Sequence, residues 1–216
     1  MRLFKRHDGE ISLTVVNFAR LLFLGLFIFE LLNYLDVLEF NTQYTWLGLV
    51  ITSAAAFILL EIVAYQYQKI KNHRLHWIIW IIMVVGLGLD AFGDFFHLYG
   101  TYGWWDQVVH YGVNAILSFT LFSIISAFWI DKFKFSLLFR SGRLKLALLL
   151  SSSITVFLSA LYEIEEYIED LLFHTNRLGP GTDTANDLSF NLLGVLTTVV
   201  FITAYYLITH KREVIE

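Results

Sequence analysis

Four short stretches hold most of the side chains able to do chemistry. GLGLDAFGDFFHLYG carries Asp90, Asp94 and His97, and WWDQVVHYGVN carries Asp106, His110 and Asn114. LYEIEEYIED carries Glu163, Glu166 and Asp170, and TDTANDLSFN carries Asp183, Asp187 and Asn191. Every spacing within a set is three or four, which lines the set along one face of a helix. Imidazoles among carboxylates suit Zn, Mn or Fe, while all-oxygen subsets suit Mg or Ca. Crowded carboxylates can also share protons without any metal. The candidate metal ligands are Asp90, Asp94, His97, Asp106, His110 and Asp187. Glu163 or Glu166 is the candidate general base, with Asn114, Asp170, Asp183 and Asn191 as supporting groups.

Simpler readings exist for single members. Asp106, Asp183 and Asp187 fall near helix starts, where an acid caps the helix and favours its dipole. A lone His97 or His110 reads as a hydrogen-bonded structural histidine. Glu165 and Glu169 lie off the stripe and read as interfacial or hydrated, and Glu30, Asp36 and Glu39 as solvated edge residues. The joint pattern of four stripes is what points to a shared polar cavity.

The elements that position these stripes follow from composition. Of 216 residues, 57% are hydrophobic and 16% charged, against about 25% charged in a soluble domain. Lipid is the expected solvent. A span needs roughly 20 apolar residues in a helix. Six stretches qualify, at about 13–35, 45–67, 75–99, 104–130, 144–172 and 186–208. The connections are short, so residues 1–216 are expected to form one all-α, six-span membrane bundle. The first span is not expected to be a cleaved signal, because it is long and lacks a small-residue cleavage site.

Basic residues orient the bundle. Thirteen of the fifteen Lys and Arg fall on one side of a six-span arrangement, leaving Arg177 opposite and Arg20 within the first span. The positive side faces the cytoplasm, which predicts cytoplasmic termini and a plasma (inner) membrane location. Thirteen of the nineteen acids sort to the outer half, a bias that insertion rules do not demand. Asp90, His110 and Glu163 are expected roughly 10–15 Å below the outer surface. Eight acids of the four stripes then face one region with Arg177 as the basic residue nearby. Arg20 and Glu61 fall at matching depth on adjacent spans and are expected to pair, as intramembrane charges usually do.

Several chemistries are excluded. No Cys means no disulfide, thiolate site or Cys nucleophile, and a net charge of -4 argues against nucleic acid as a partner. No Walker loop, GxSxG elbow or HExxH is present. Ser151, Ser152, Ser153 and Thr155 read as helix-packing residues. Gly179, Pro180 and Gly181 read as a turn, and Gly86, Gly88 and Gly93 as sites of close helix approach.

The stretch LDAFGDFFHLYGTYGWWDQVVHYGVN, then YEIEEYIED, then GTDTANDLSFNLLGVL, resembles the YjdF-like family of six-span inner-membrane proteins. It is more distantly similar to the VanZ-like family. The matching residues are Asp106, His110, Glu163, Glu166, Asp183, Asp187, Asn191 and Gly194, and the resemblance covers roughly residues 85–200. It implies an envelope setting, since VanZ-like members are associated with glycopeptide-antibiotic tolerance. Three functions remain open. One is an intramembrane enzyme, its metal held by Asp94, His97, Asp106 and His110, acting on a lipid or lipid-linked substrate. The second is a transporter of protons or divalent cations, which the apolar inner halves of spans three, four and six disfavour. The third is a non-catalytic accessory protein.

Overall fold

The computed structural model describes residues 3–38, 40, 46–129, 143–174, 177–179 and 181–213, with side chains from residue 13 to 208 of these. Glu39, Asp131, Lys132, Lys134, Arg140 and Pro180 lie outside the described residues. Among the described residues, seven helices follow one another: α1 Leu3–Tyr34, α2 Trp46–Lys71, α3 Trp77–Phe95, α4 Leu98–Thr101, α5 Trp105–Trp129, α6 Leu144–Phe173 and α7 Asp183–Glu213. No strand occurs among the described residues. All but α4 are long and apolar enough to cross a membrane. The outward faces are strongly apolar, with Leu21, Leu149 and Val200 each more than half exposed, as lipid contact requires.

The bundle has one apolar end and one polar end. At the apolar end, Phe23 of α1, Tyr67 of α2, Trp80 of α3 and Ala127 of α5 pack into one core. Phe122, Leu144, Ala147 and Ile202 pack into a second between α5, α6 and α7. The polar end holds the α3–α5 and α6–α7 connections. Helix α5 packs against α3, α6 and α7, so it is the element through which the four stripes meet.

Two features fix these contacts. At Gly194, α7 approaches α5 so closely that a Cβ would overlap the Tyr111 carbonyl oxygen. Thr198 of α7 donates to the Ala115 carbonyl at 2.9 Å one turn further along. Close approach at a small residue is the usual way membrane helices gain packing energy. Arg20 of α1 forks onto Glu61 of α2, Nε to Oε1 at 2.5 Å and Nη2 to Oε2 at 2.9 Å. Its guanidinium also lies over the Trp80 ring at 4.8 Å, tying α3 to the same pair.

Two outcomes are expected. Gly194→Val forces α5 and α7 apart and lowers stability by roughly 1–3 kcal/mol, the usual range for overpacking. Gly88→Ala, where a Cβ meets nothing within 4 Å, leaves it unchanged or raised. Thermal unfolding in detergent compares them. Arg20→Leu and Glu61→Leu each strand one charge in a span, costing about 3 kcal/mol, while the double variant recovers most of the loss. Equal accumulation of single and double variants would refute the pairing.

Candidate functional site

The polar end is shaped by two helix breaks. Helix α3 stops at Phe95, and His97 takes a left-handed φ of 53°, which turns the chain back into α4. Tyr99 of α4 then donates to Asp90 Oδ1 at 2.6 Å. Burial holds the Tyr99 phenol well above its ordinary range, so it keeps the proton it donates. Gly93 permits this fold-back, since a Cβ there would overlap the Tyr99 and Trp105 rings. Helix α6 ends at His174, also left-handed at 54°. The Asp170 carboxylate then accepts from the Arg177 amide at 2.7 Å and the Leu178 amide at 3.0 Å. That anchor carries the Arg177 side chain inward.

A cavity of about 220 Å³ lies between α2, α3, α5, α6 and α7. Asp90, Asp94, Asp106, Asp183 and Asp187 line it together with His110. Within it, Asp106, His110 and Asp187 each bring one ligand atom within 4.8 Å of the other two. His110 Nε2 lies 3.5 Å from Asp106 Oδ1 and 3.9 Å from Asp187 Oδ1. Donors on one tetrahedral ion at 2.0–2.2 Å would stand about 3.4 Å apart, so the spacing fits an ion after small adjustments.

The orientation of His110 follows from its neighbours. Asn114 Nδ2 donates to the His110 carbonyl at 2.9 Å and to Asn191 Oδ1 at 2.5 Å. The Ser159 hydroxyl lies within hydrogen-bond reach of both Asn114 Oδ1 and the Thr155 carbonyl. Asn191 Oδ1 is thereby an acceptor, and His110 Nδ1 lies 3.0 Å from it. Nδ1 donates to Asn191, which turns Nε2 toward the carboxylates of Asp106 and Asp187. An orienting hydrogen bond on the far ring nitrogen is the usual support of a metal-binding histidine.

The same cluster leaves acceptors without donors. Glu163 is 4% exposed and neither of its carboxylate oxygens has a hydrogen-bond partner. Its Oε1 stands 3.9 Å from His110 Nδ1. Asp187, also 4% exposed, has an unpartnered Oδ1. Buried carboxylates in this state need a proton or a cation.

A second acidic group is already neutralised. Arg177 is 7% exposed and donates to Glu169 at 2.5 Å, Glu165 at 3.2 Å, Glu166 at 3.2 Å and the Tyr162 hydroxyl at 2.8 Å. Burial opposes the charge, but Tyr162 and the surrounding carboxylates outweigh it and hold the guanidinium above its ordinary range. Gly48 of α2 gives it room, because a Cβ there would overlap the guanidinium.

A family described as "Predicted membrane protein (DUF2238)" matches residues 16–207. The chain belongs to this family. The match is consistent with the YjdF-like resemblance. No curated protein and no solved structure matches the chain.

In this DUF2238 protein the sequence-predicted residues part into groups. Asp106, His110 and Asp187 come together, with Glu163, Asn114 and Asn191 against them. Asp90 and Asp94 line the same cavity but stand outside the three-donor group. His97 lies elsewhere: it is exposed, and its ring stacks on Phe40 at 5.7 Å. The helix ends two residues before it, so the three-residue step from Asp94 does not carry to the same face. Glu166 is engaged by Arg177, and Asp170 anchors a loop. Asp183 lines the cavity from the first turn of α7.

Glu169, expected to be hydrated, is 3% exposed and held by Arg177. Glu30, expected at a solvated edge, is buried and accepts from Ser53 at 2.5 Å. The inner half of α5 is also less apolar than expected, with Ser118, Thr120, Ser123 and Ser126 all buried. The isolated basic residue at an acidic end was the signal that could have exposed the Arg177 cluster.

Arg177→Met should destabilise the protein by about 3–5 kcal/mol, because it removes the shared cation and leaves buried acids unpaired. Glu165→Gln, at the most open edge of the cluster, should cost less than about 1 kcal/mol. Unfolding midpoints in detergent measure both, and equal losses would overturn the shared-cation account.

Proposed function

We propose that this protein is a plasma (inner) membrane protein, with cytoplasmic termini, that holds a divalent metal ion in an outward-opening cavity and acts on a lipid or lipid-linked envelope substrate. The observation that carries the reading is the convergence of Asp106, His110 and Asp187, whose ligand atoms all lie within 4.8 Å of one another. Carboxylates converging in a buried site need a proton or a cation between them, and the imidazole beside them makes the set suited to a metal ion. Asn191 and Asn114 supply the orientation that such a ligand set needs.

Three protein ligands leave a fourth position for water or substrate, the pattern of catalytic rather than structural metal sites. The metal, when bound, would supply an acidified water. Glu163, buried beside His110 with two free acceptor oxygens, is placed to hold a proton at the edge of the site. Glu166 is a weaker choice as base, because Arg177 already engages it.

Transport is less well supported. A carrier needs a path from the cavity to the opposite end; Ser118, Thr120, Ser123 and Ser126 are buried along α5 in that direction, but Phe122, Ile202, Ile79 and Trp80 are fully buried beside them in packed clusters.

The test is metal content. The wild type, purified in detergent from cells supplied with Zn or Mn, should carry about one ion per chain by plasma mass spectrometry. Asp106→Asn, His110→Ala and Asp187→Asn should lose it while remaining folded. Asn191→Ala should keep the site but weaken its affinity about 10–100-fold, as loss of an orienting partner does. A folded wild type without metal would overturn the proposal.

A further inference from the structure

The cavity at the polar end is not polar throughout. On α5 its wall passes from His110 inward to Val113 and Leu117, which follow Val109 at steps of four and so share one face. On α3 the wall runs from Asp90 back to Leu87, and on α6 from Glu166 back to Leu158. Three helices thus turn apolar side chains into the void on the side away from the acids. Leu117 stands seven residues inward of His110, about 10 Å along the helix. Five residues further, the fully buried Phe122 begins a packed cluster that closes the inner end.

The two ends of this void suit the two ends of one molecule. At the outer end, Asp90 is engaged by Tyr99 and Glu166 by Arg177. Asp106, His110 and Asp187 are left to meet a polar group or an ion bound to it. Inward of Asp90 and His110, no charged side chain of the described residues lines the walls. A charged group entering there would lose its hydration without gaining a partner. The aliphatic hydroxyls of the lining are Thr52 and Ser159, and Ser159 already reaches the Thr155 carbonyl and Asn114 Oδ1. Small-molecule pockets combine apolar walls with a few convergent polar groups in this way. A depth of about 10 Å takes an extended chain of roughly eight carbons. The void of about 220 Å³, roughly seven water volumes, has no room for the full acyl chain of a membrane lipid.

We infer that the inner half of the cavity seats an uncharged hydrocarbon group of roughly six to eight carbons, carried by a substrate whose polar group lies at Asp106, His110 and Asp187. The link to that polar group rests on the metal reading proposed above, while the seat rests on the apolar walls alone. Val113 and Leu117 are then the residues that set the accepted chain length.

The full chain, purified in detergent from cells supplied with Zn, is photolabelled with an eight-carbon alcohol bearing a diazirine near the end of its chain. Mass spectrometry maps the labelled residues and measures the Zn content. Label should fall on Leu87, Val113, Leu117 or Leu158. Free 1-octanol should reduce it severalfold more than either 1-butanol or 1-dodecanol. Val113→Phe fills the seat and should abolish this label. Leu117→Ala enlarges its inner end and should let 1-dodecanol compete as well as 1-octanol. If Val113→Phe fails to fold, the order of competition on the wild type decides. Label confined to lipid-facing side chains such as Leu149 and Val200, or competition that simply rises with chain length, overturns the inference. A Zn-loaded wild type without label in the seat defeats this inference and leaves the metal reading standing. A Zn-free wild type whose seat is labelled, and loses the label in Val113→Phe, upholds the seat and defeats only the metal reading.

Discussion

Carboxylates enclosed by apolar helices must find a countercharge, a donor or a proton, and that constraint organises the polar half of this protein. Lipid cannot supply any of the three. The acids differ in how far they meet it, even along one helix. On α6, Glu166 and Glu169 reach the guanidinium of Arg177, and Asp170 takes two backbone amides. Glu163, one turn earlier, receives no hydrogen bond. A difference of three residues separates a neutralised structural cluster from an unsatisfied one.

The apolar half makes that arrangement possible. Large side chains such as Trp80, Tyr67 and Phe122 are fully buried there, and dense packing of this kind resists relaxation. The Arg20–Glu61 fork fastens α1 to α2, and the contact at Gly194 fixes α7 against α5. These contacts hold α1 to α2 and α7 to α5, and so set where the acids of the polar end stand.

Much of this was readable in the chain. The six long helices fall where hydropathy places the spans, because backbone hydrogen bonding in lipid leaves no alternative to a helix. Periodicity also places Asp106 with His110, and Asp187 with Asn191, since both steps stay inside unbroken helices. It fails at His97, because the left-handed residue that ends α3 is no glycine and leaves no compositional trace. It fails again at Glu169 and Glu30, whose burial depends on partners distant in sequence. A residue at 177 folding back onto 165, 166 and 169 is a consequence of the Asp170 anchor, which no helical spacing encodes.

The asymmetry between the two acidic groups bears on which one is suited to chemistry. A guanidinium shared by three carboxylates and a phenol is a closed arrangement, and adding or removing a proton there disturbs several bonds at once. The group around His110 is open. Its imidazole is held from behind by Asn191, its front faces two carboxylates, and Glu163 adjoins it without a donor of its own. The metal proposed above belongs with this open group rather than the closed one, because no guanidinium there competes for the carboxylates. The closed cluster, with Asp170, fixes the α6–α7 loop.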